Sequence, residues 1–313
     1  ALRTDDGREI ELSERAAAHM IFGLISGGIA AFTAAWHRPD LFSKVFSGCG
    51  TFVPMRGGND LQAIVRKSEP KPLRICLQDG YDDAWNPLFG SWFEANAMLG
   101  TALEFAGYDV MLDWGEGVHS VKRAAEIFPD VMRWMWRDHP AEISIRPTSN
   151  NYLKPLLVDG AVWQAVGTPS DAADMTLRSA VYPDGAHAVS VAEGSNSLTQ
   201  SIITADGDVV YAELFYWLHN FDNCVLAVGG MAFDGDGYLW AVTDAGIQIC
   251  DQNGRVRGII ELPRGITAGR TAIRIDDGRV TVVELGKEPR AYSRRFNVKA
   301  AQPGVRPPSQ GQA

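Results

Sequence analysis

Phe22-Gly23-Leu24-Ile25-Ser26-Gly27-Gly28-Ile29-Ala30-Ala31-Phe32 is the stretch whose reading decides the fold. Apolar residues from Ala16 to Phe22 lead into it as a buried strand would, and Ile29 to Trp36 leave it with helical character. Strand, glycine turn and helix together are the setting of a nucleophile elbow, which holds a serine on a strained turn with its hydroxyl in a cleft. The usual pattern is Gly-x-Ser-x-Gly. Counted from Gly23 and Gly27, the central position here is Ile25, and the nearest hydroxyl is Ser26, one place late. Three readings compete. Ile25 occupies the tip and the site lacks its nucleophile, the turn relaxing because a β-branched side chain clashes at positive φ. Alternatively the turn slips by one residue and Ser26 becomes the nucleophile, which puts Leu24 where the fold wants a small residue. In the third reading Ser26 only caps the helix ahead of Gly27-Gly28.

On either side of the elbow the pattern is one of alternating strands and helices. The segments before Ser26 and at 44–48, 72–78 and 108–112 read as strands; 29–36, 92–106 and 121–136 read as helices, with Pro39, Gly107 and Pro129 as stops or kinks. Such alternation implies a parallel sheet covered on both faces. Functional residues then gather in loops beyond the carboxyl ends of the strands. Three of those loops carry Ser26, the cluster Asp79-Gly80-Tyr81-Asp82-Asp83, and His119. Nucleophile, acid, histidine is the chain order of an α/β-hydrolase triad. His119 would be general base and then general acid, with an aspartate holding its other ring nitrogen. Bland roles fit the other histidines: His19 in the core, His37 and His139 at helix ends, His187 and His219 without ligand spacing.

With those residues in place, 20–138 resembles the C-terminal part of a bacterial esterase family related to enterochelin esterase. The resemblance rests on Ser26 to Phe32, Arg38-Pro39-Asp40, Leu77-Gln78-Asp79-Gly80, Glu104 to Asp109, Gly115-Glu116-Gly117-x-His119 and Arg133-Trp134-x-Trp136-Arg137-Asp138. It implies carboxylic-ester hydrolysis, with Asp83 as triad acid and His119 as triad base. The family's serine falls on Ile25. The resemblance also implies early strands and one oxyanion-hole donor ahead of residue 1. With such a part ahead of it, the chain would be expected in the bacterial periplasm or outside the cell.

After a Pro-, Ser- and Asn-rich stretch (140–153) the hydrophobic period changes to two. Short strands are expected at 161–166, 187–192, 237–242, 246–250 and 279–284, separated by Asp-Gly turns such as Asp184-Gly185, Asp234-Gly235-Asp236-Gly237 and Asp277-Gly278. This part resembles the later blades of a gluconolactonase-like (senescence-marker) propeller, through Tyr182-Pro183-Asp184-Gly185, Gly230-Met231-Ala232-Phe233-Asp234, Gly237 to Ala241, Gly246 to Asp251 and Gly254-Arg255-Val256. That family implies one divalent metal and lactone or ester hydrolysis. Its metal-binding Asp falls on Gly229. Asp234 and Asp236 read as turn builders rather than replacements, and Glu193 and Asn196 likewise.

The expected fold class is therefore α/β plus all-β: a partial α/β-hydrolase parallel sheet followed by a partial β-propeller. The esterase-like domain spans 1–140, a linker 141–160, the propeller part 161–298 and a disordered Pro- and Gln-rich tail 299–313. The expected function is hydrolysis of carboxylic esters or lactones, carbohydrate-related, through Ser26, Asp83 and His119 at an elbow formed by Gly23, Ile25, Gly27 and Gly28. The alternatives are a non-catalytic protein that binds sugars or partners, and a metal-dependent lactonase. Partners are a small-molecule ester, lactone or carbohydrate ester. The esterase reading needs no cofactor; calcium or zinc belongs only to the lactonase reading. A formal charge of −9 and the lack of a basic run argue against nucleic acid, and no stretch has the length of a membrane span. The four cysteines, Cys49, Cys76, Cys224 and Cys250, lack metal-ligand spacing and read as buried thiols. The polar opening Arg3 to Glu9 is unlike a signal peptide. Oligomeric state is left open.

Overall fold

The computed structural model describes residues 2–192, 197–221 and 225–310, so Glu193, Asn196 and Cys224 lie outside the described residues. The chain forms two compact units: Ala1–Arg66 with Pro70–Ser149, and Lys67–Glu69 with Asn150–Ala313.

The first unit is built on one parallel sheet, in spatial order β1 (Met20–Leu24), β2 (Lys44–Gly48), β3 (Arg74–Asp82) and β4 (Asp109–Val118). Helix α1 (Ser26–His37) follows β1, α2 (Leu61–Lys67) falls between β2 and β3, α3 (Trp92–Ala106) between β3 and β4, and α4 (Lys122–Met135) after β4. All of β2 and the first seven residues of β3 are buried, as central strands covered on both faces must be. β1 lies at the edge of the sheet, and its Phe22 is half exposed. α3 starts on a capping pair, Ser91 Oγ accepting from the Glu94 N–H at 3.2 Å, and stops at Gly107, whose φ of 87° suits a residue without a Cβ. α4 turns Ala124, Ile127, Val131 and Met135 onto Phe46 and Cys76 of the sheet, and runs through Pro129 without a break. The strand expected from Ala16 begins only at Met20. Ala16–Ala18 forms a 3-10 turn instead, because alanine has little preference for a pleated surface.

A buried ion-pair cluster closes the end of this sheet opposite the elbow. Arg74, at the start of β3 and only 3% exposed, donates from Nε to Asp109 Oδ2 at 2.7 Å. Its Nη1 donates to the Met135 carbonyl and to Asp138 Oδ1, both at 2.8 Å, and its Nη2 to Asp138 Oδ2 at 2.6 Å. Removing one partner of a buried pair costs roughly 3–5 kcal/mol. Asp138 is half exposed and Asp109 keeps Arg137 and Arg146, so the lower end applies. Arg74→Met is expected to lower unfolding stability by about 3 kcal/mol, read as an earlier urea midpoint; an unchanged midpoint would show that the cluster contributes nothing net.

Among the described residues, the second unit contains three four-stranded antiparallel sheets. The first is β6 (Ser179–Val181), β7 (His187–Val191), β8 (Ser197–Ile203) and β9 (Val209–Trp217), counting Gln164–Val166 as β5. The second is β10 (Val228–Phe233), β11 (Leu239–Thr243), β12 (Gly246–Cys250) and β13 (Val256–Ile260). The third is β14 (Thr271–Asp276), β15 (Arg279–Glu284) and β16 (Arg290–Arg295), completed by β5 from the other end of the unit. β6 packs beside β10, and β10 beside β14. Trp240, Ile247, Ile249, Val280, Val282 and Phe296 make the shared core.

The Asp-Gly stretches build turns here. Asp234 Oδ1 accepts the N–H groups of Asp236 and Tyr238, and its Oδ2 accepts the Trp240 indole N–H at 2.9 Å. Asp251 does the same for Asn253 and Arg255. Two expectations change. Leu153 and Leu156, expected in a linker, are buried in this core. Residues 300–310, expected to be disordered, are bonded to the turns: Ala300 N–H to Asp277, Gln310 Nε2 to the Asp236 carbonyl and Gln252 N–H to Gln310 Oε1. Cys49, Cys76 and Cys250 are buried and free. Among the described residues, no helix is long and apolar enough to cross a membrane.

Candidate functional site

Ile25 sits between β1 and α1 with φ 59° and ψ −121°. A β-branched residue at positive φ is a steric outlier, at roughly 1–3 kcal/mol of local strain. The turn has not relaxed, because its neighbours hold it. The Ile25 N–H donates to the Gly48 carbonyl at 2.9 Å, and the Ile25 carbonyl accepts from the N–H groups of Gly28 at 3.0 Å and Thr51 at 3.2 Å. A Cβ on Gly23 would run into the Gly27 carbonyl, and one on Gly28 would stand 2.5 Å from Ser47 Oγ, so strand and helix meet at these two glycines. Gly27 faces open space. Ser26 is exposed and is the first residue of α1, while Ile25 holds the cap position. The slipped turn and the serine cap are therefore not the arrangement seen. The Ser26 N–H belongs to the first turn of α1, where backbone donors lack intrahelical acceptors. It is the donor next to the elbow tip that an oxyanion would use.

The other two residues meet through the register of the sheet. Asp82 on β3 pairs with Val118 on β4, so the next residue of each strand, Asp83 and His119, emerges side by side. His119 Nδ1 lies 2.5 Å from Asp83 Oδ1. The Asp83 side chain is fully buried, while His119 is 29% exposed, so one ring edge is fixed and the other reaches solvent. An ionised Asp83 accepts the Nδ1 proton and leaves Nε2 as the ring's acceptor. Ala84 N–H adds a second bond to Asp83 Oδ1 at 2.5 Å. The Trp92 ring stands edge-on to the His119 ring at 6.1 Å, and its indole N–H points to Thr51 Oγ1 at 3.4 Å. Thr51 in turn bonds Ile25. Trp92 and Thr51 thus link the elbow to the Asp83–His119 pair by contact. The elbow tip carries a hydrocarbon side chain with no lone pair to attack a carbonyl.

Three buried residues behind the pair were not read as site residues from the sequence: Cys49, Asp79 and Asn96. Cys49 has φ 47° and donates its thiol to the Ser120 carbonyl at 3.3 Å. Burial pushes that thiol up to about 11, so it is no substitute nucleophile at neutral pH. One oxygen or sulfur atom from each of Cys49, Asp79 and Asp83 comes within 4.8 Å of the others. Those groups are engaged with Ser120, Gly80, Asn96, Ala84 and His119, so the cluster is a hydrogen-bonded one rather than an open ligand set. The signal for Asp79 was present in Leu77-Gln78-Asp79-Gly80, but nothing local shows that it is buried. Trp85, close to Asp83 in the chain, is exposed on a short hairpin.

The propeller metal does not fit the second unit. Gly229 supplies no ligand, and a Cβ there would collide with the carbonyl oxygens of Ala268 and Thr271. Among the described residues, no group of acidic, thiol or imidazole ligands converges in this unit.

No family model and no curated protein matches the chain. Solved structures similar to it in part include enterochelin esterase from Shigella flexneri, at 24% identity over 40% of this chain and 32% of that one, with a TM-score of 0.32. S-formylglutathione hydrolase (FrmB) from Staphylococcus aureus is similar at 16% identity over 40% and 53%, with a TM-score of 0.32. A protein assigned as a gluconolactonase is similar at 19% identity over 40% and 39%, with a TM-score of 0.31. The chain spans about a third of the length of the enterochelin esterase it matches.

Proposed function

We propose that the first unit is an ester-hydrolase lobe that has kept its proton-handling pair and lost its nucleophile. It binds a small-molecule ester, lactone or carbohydrate ester without turning it over. The observation that carries this reading is the backbone of Ile25, at φ 59° and ψ −121° on a turn pinned to Gly48 and Thr51, with Asp83 and His119 hydrogen-bonded beyond the ends of β3 and β4. Ser26 does not rescue the chemistry, because it points from the first turn of α1 rather than from the tip. The second unit we read as a partial propeller fused to this lobe. Support comes from the three successive antiparallel sheets, the side-by-side β6, β10 and β14, and the completion of the third sheet by β5. A metal-dependent lactonase is not favoured, since Gly229 leaves no room for the carboxylate.

The test is hydrolysis of a short-chain nitrophenyl ester by the native chain and by Ser26→Ala. Both are expected to run at the buffer rate. Native turnover that disappears in Ser26→Ala would overturn the reading and establish a working slipped elbow.

A further inference from the structure

Asp83 needs four acceptor sites filled or solvated if it is ionised, yet its Oδ2 is buried and has no hydrogen-bond partner. A lone buried carboxylate oxygen is costly to leave unpaired. Directly behind it stands Asp79, only 1% exposed, with a carboxylate oxygen within 4.8 Å of one of Asp83's. Asp79 Oδ1 accepts the Gly80 N–H at 2.8 Å, and Oδ2 accepts Asn96 Nδ2 at 2.8 Å. Two carboxylates this close cannot both be charged in a dry pocket. At about 4 Å their repulsion is roughly 4 kcal/mol even at an effective dielectric of 20. The groups that act most on Asp79 are Asp83 and the Gly80 N–H beside it on the chain and the Cys49 thiol beyond β2. From α3 it meets Asn96, and from the loop after β4 His119 lies on the far side of Asp83. None of these brings a cation against Asp79.

We propose that Asp79 is held as a neutral acid whose proton bonds Asp83 Oδ2, so that Asp79 is a positioning residue for the Asp83–His119 pair. The proton belongs on Asp79 because Asp83 Oδ1 must accept from His119 and Ala84, which calls for an ionised partner. A hydroxyl at Asp79 Oδ2 still accepts from Asn96 while it donates to Asp83. The arrangement fixes the carboxylate plane from behind, as His119 Nδ1 does from the front. It leaves Asp83 Oδ1 to the imidazole and the Ala84 N–H. Burial first, and then Asp83, push Asp79 up to about 8. Because this lies above the value of an exposed aspartate, the stability held in the shared proton is fully present below about 4 and is lost as pH rises through about 8.

The inference rests on reading Asp83 and His119 as the acid–base pair, but not on ester turnover, and its test is separate. The side-chain carboxyl carbons of the full native chain are followed by NMR from pH 4 to 10, with Asp79→Asn identifying the Asp79 signal. The expected result is an Asp79 carboxyl still protonated at pH 6.5, titrating with a midpoint near 8. The His119 ring resonances should carry a step at that same midpoint, absent in Asp79→Asn. An Asp79 carboxyl already ionised at pH 6.5 would overturn the proposal. Where Asp79→Asn does not fold, selective labelling of the native chain still decides the midpoint. Native ester turnover, which would overturn the proposed function, would leave this titration in place, and an ionised Asp79 would leave the proposed function in place.

Discussion

Ile25→Ser is expected to raise hydrolysis of a short-chain nitrophenyl ester by about 10³-fold over the native chain, with the gain abolished when His119→Ala is added. Removing the serine from an intact triad costs on the order of 10⁶ in turnover, which sets the ceiling on what its return can recover. Against that ceiling stands the oxyanion site. Counting only the Ser26 N–H, a site short of one donor gives up roughly 10²- to 10³-fold. The difference leaves about three orders of magnitude. The backbone is already in the required state, since φ 59° and ψ −121° are held by the Gly48 and Thr51 bonds and by the close meeting at Gly23 and Gly28. Serine fits that turn with less crowding than isoleucine, so the substitution should not unfold the unit. His119 Nδ1 is already held by Asp83, which leaves Nε2 as the ring nitrogen to take the new hydroxyl's proton. A folded Ile25→Ser chain that stays at the native rate would sink the idea that only the nucleophile is missing.

Much of this site could be read along the chain because its residues follow strand ends. Asp83 and His119 each directly follow the last residue of a strand, and parallel register then brings them together. The elbow was legible as a strand-glycine-helix signal, but the choice between Ile25 and Ser26 was not. A one-residue slip leaves the residue pattern unchanged and differs only in backbone angles and in which carbonyl the Ile25 N–H finds. Asp79 was named in a matching stretch and yet missed as a working residue. Its character comes from burial, which is set by packing from other elements such as α3, whose Asn96, 17 residues away, bonds its Oδ2. In the second unit the Asp-Gly turns and the strands Gly246–Cys250 and Arg279–Glu284 emerge where the pattern puts them, because turn chemistry is local. The pairing of Gln164–Val166 with Ala291–Ser293 is not local, and no periodicity announces it. Composition also misled at 300–310. A Pro- and Gln-rich stretch has little to bury, but its backbone and amides find partners on Asp277, Asp236 and Gln252.

Gly229→Asp, which rebuilds the carboxylate that the propeller resemblance places at this position, is expected to destabilise the second unit by about 4 kcal/mol or more and to gain no metal. The reason lies in what surrounds the residue. The Ala268 and Thr271 carbonyl oxygens stand where a Cβ would go, and both are backbone atoms that cannot swing aside. They belong to the turn entering β14, the strand packed directly against β10. Any side chain at 229 must therefore push the third sheet away from the second. Overpacking alone costs roughly 1–3 kcal/mol. An aspartate adds a charge facing two carbonyl oxygens, and leaving a buried polar group uncompensated costs a further few kcal/mol. Urea unfolding followed by tryptophan fluorescence, with Trp240 buried in the same core, reads the loss. The measurement is made with and without excess calcium and zinc. A variant as stable as the native chain, or one that either metal restores to native stability, would mean that space for a cation exists between these strands. The lactonase reading would then return. Loss of stability that no metal reverses means that the second unit has packed its sheets through the place where a metal would sit. Asp83 and His119 would then remain as the acid–base chemistry of the chain.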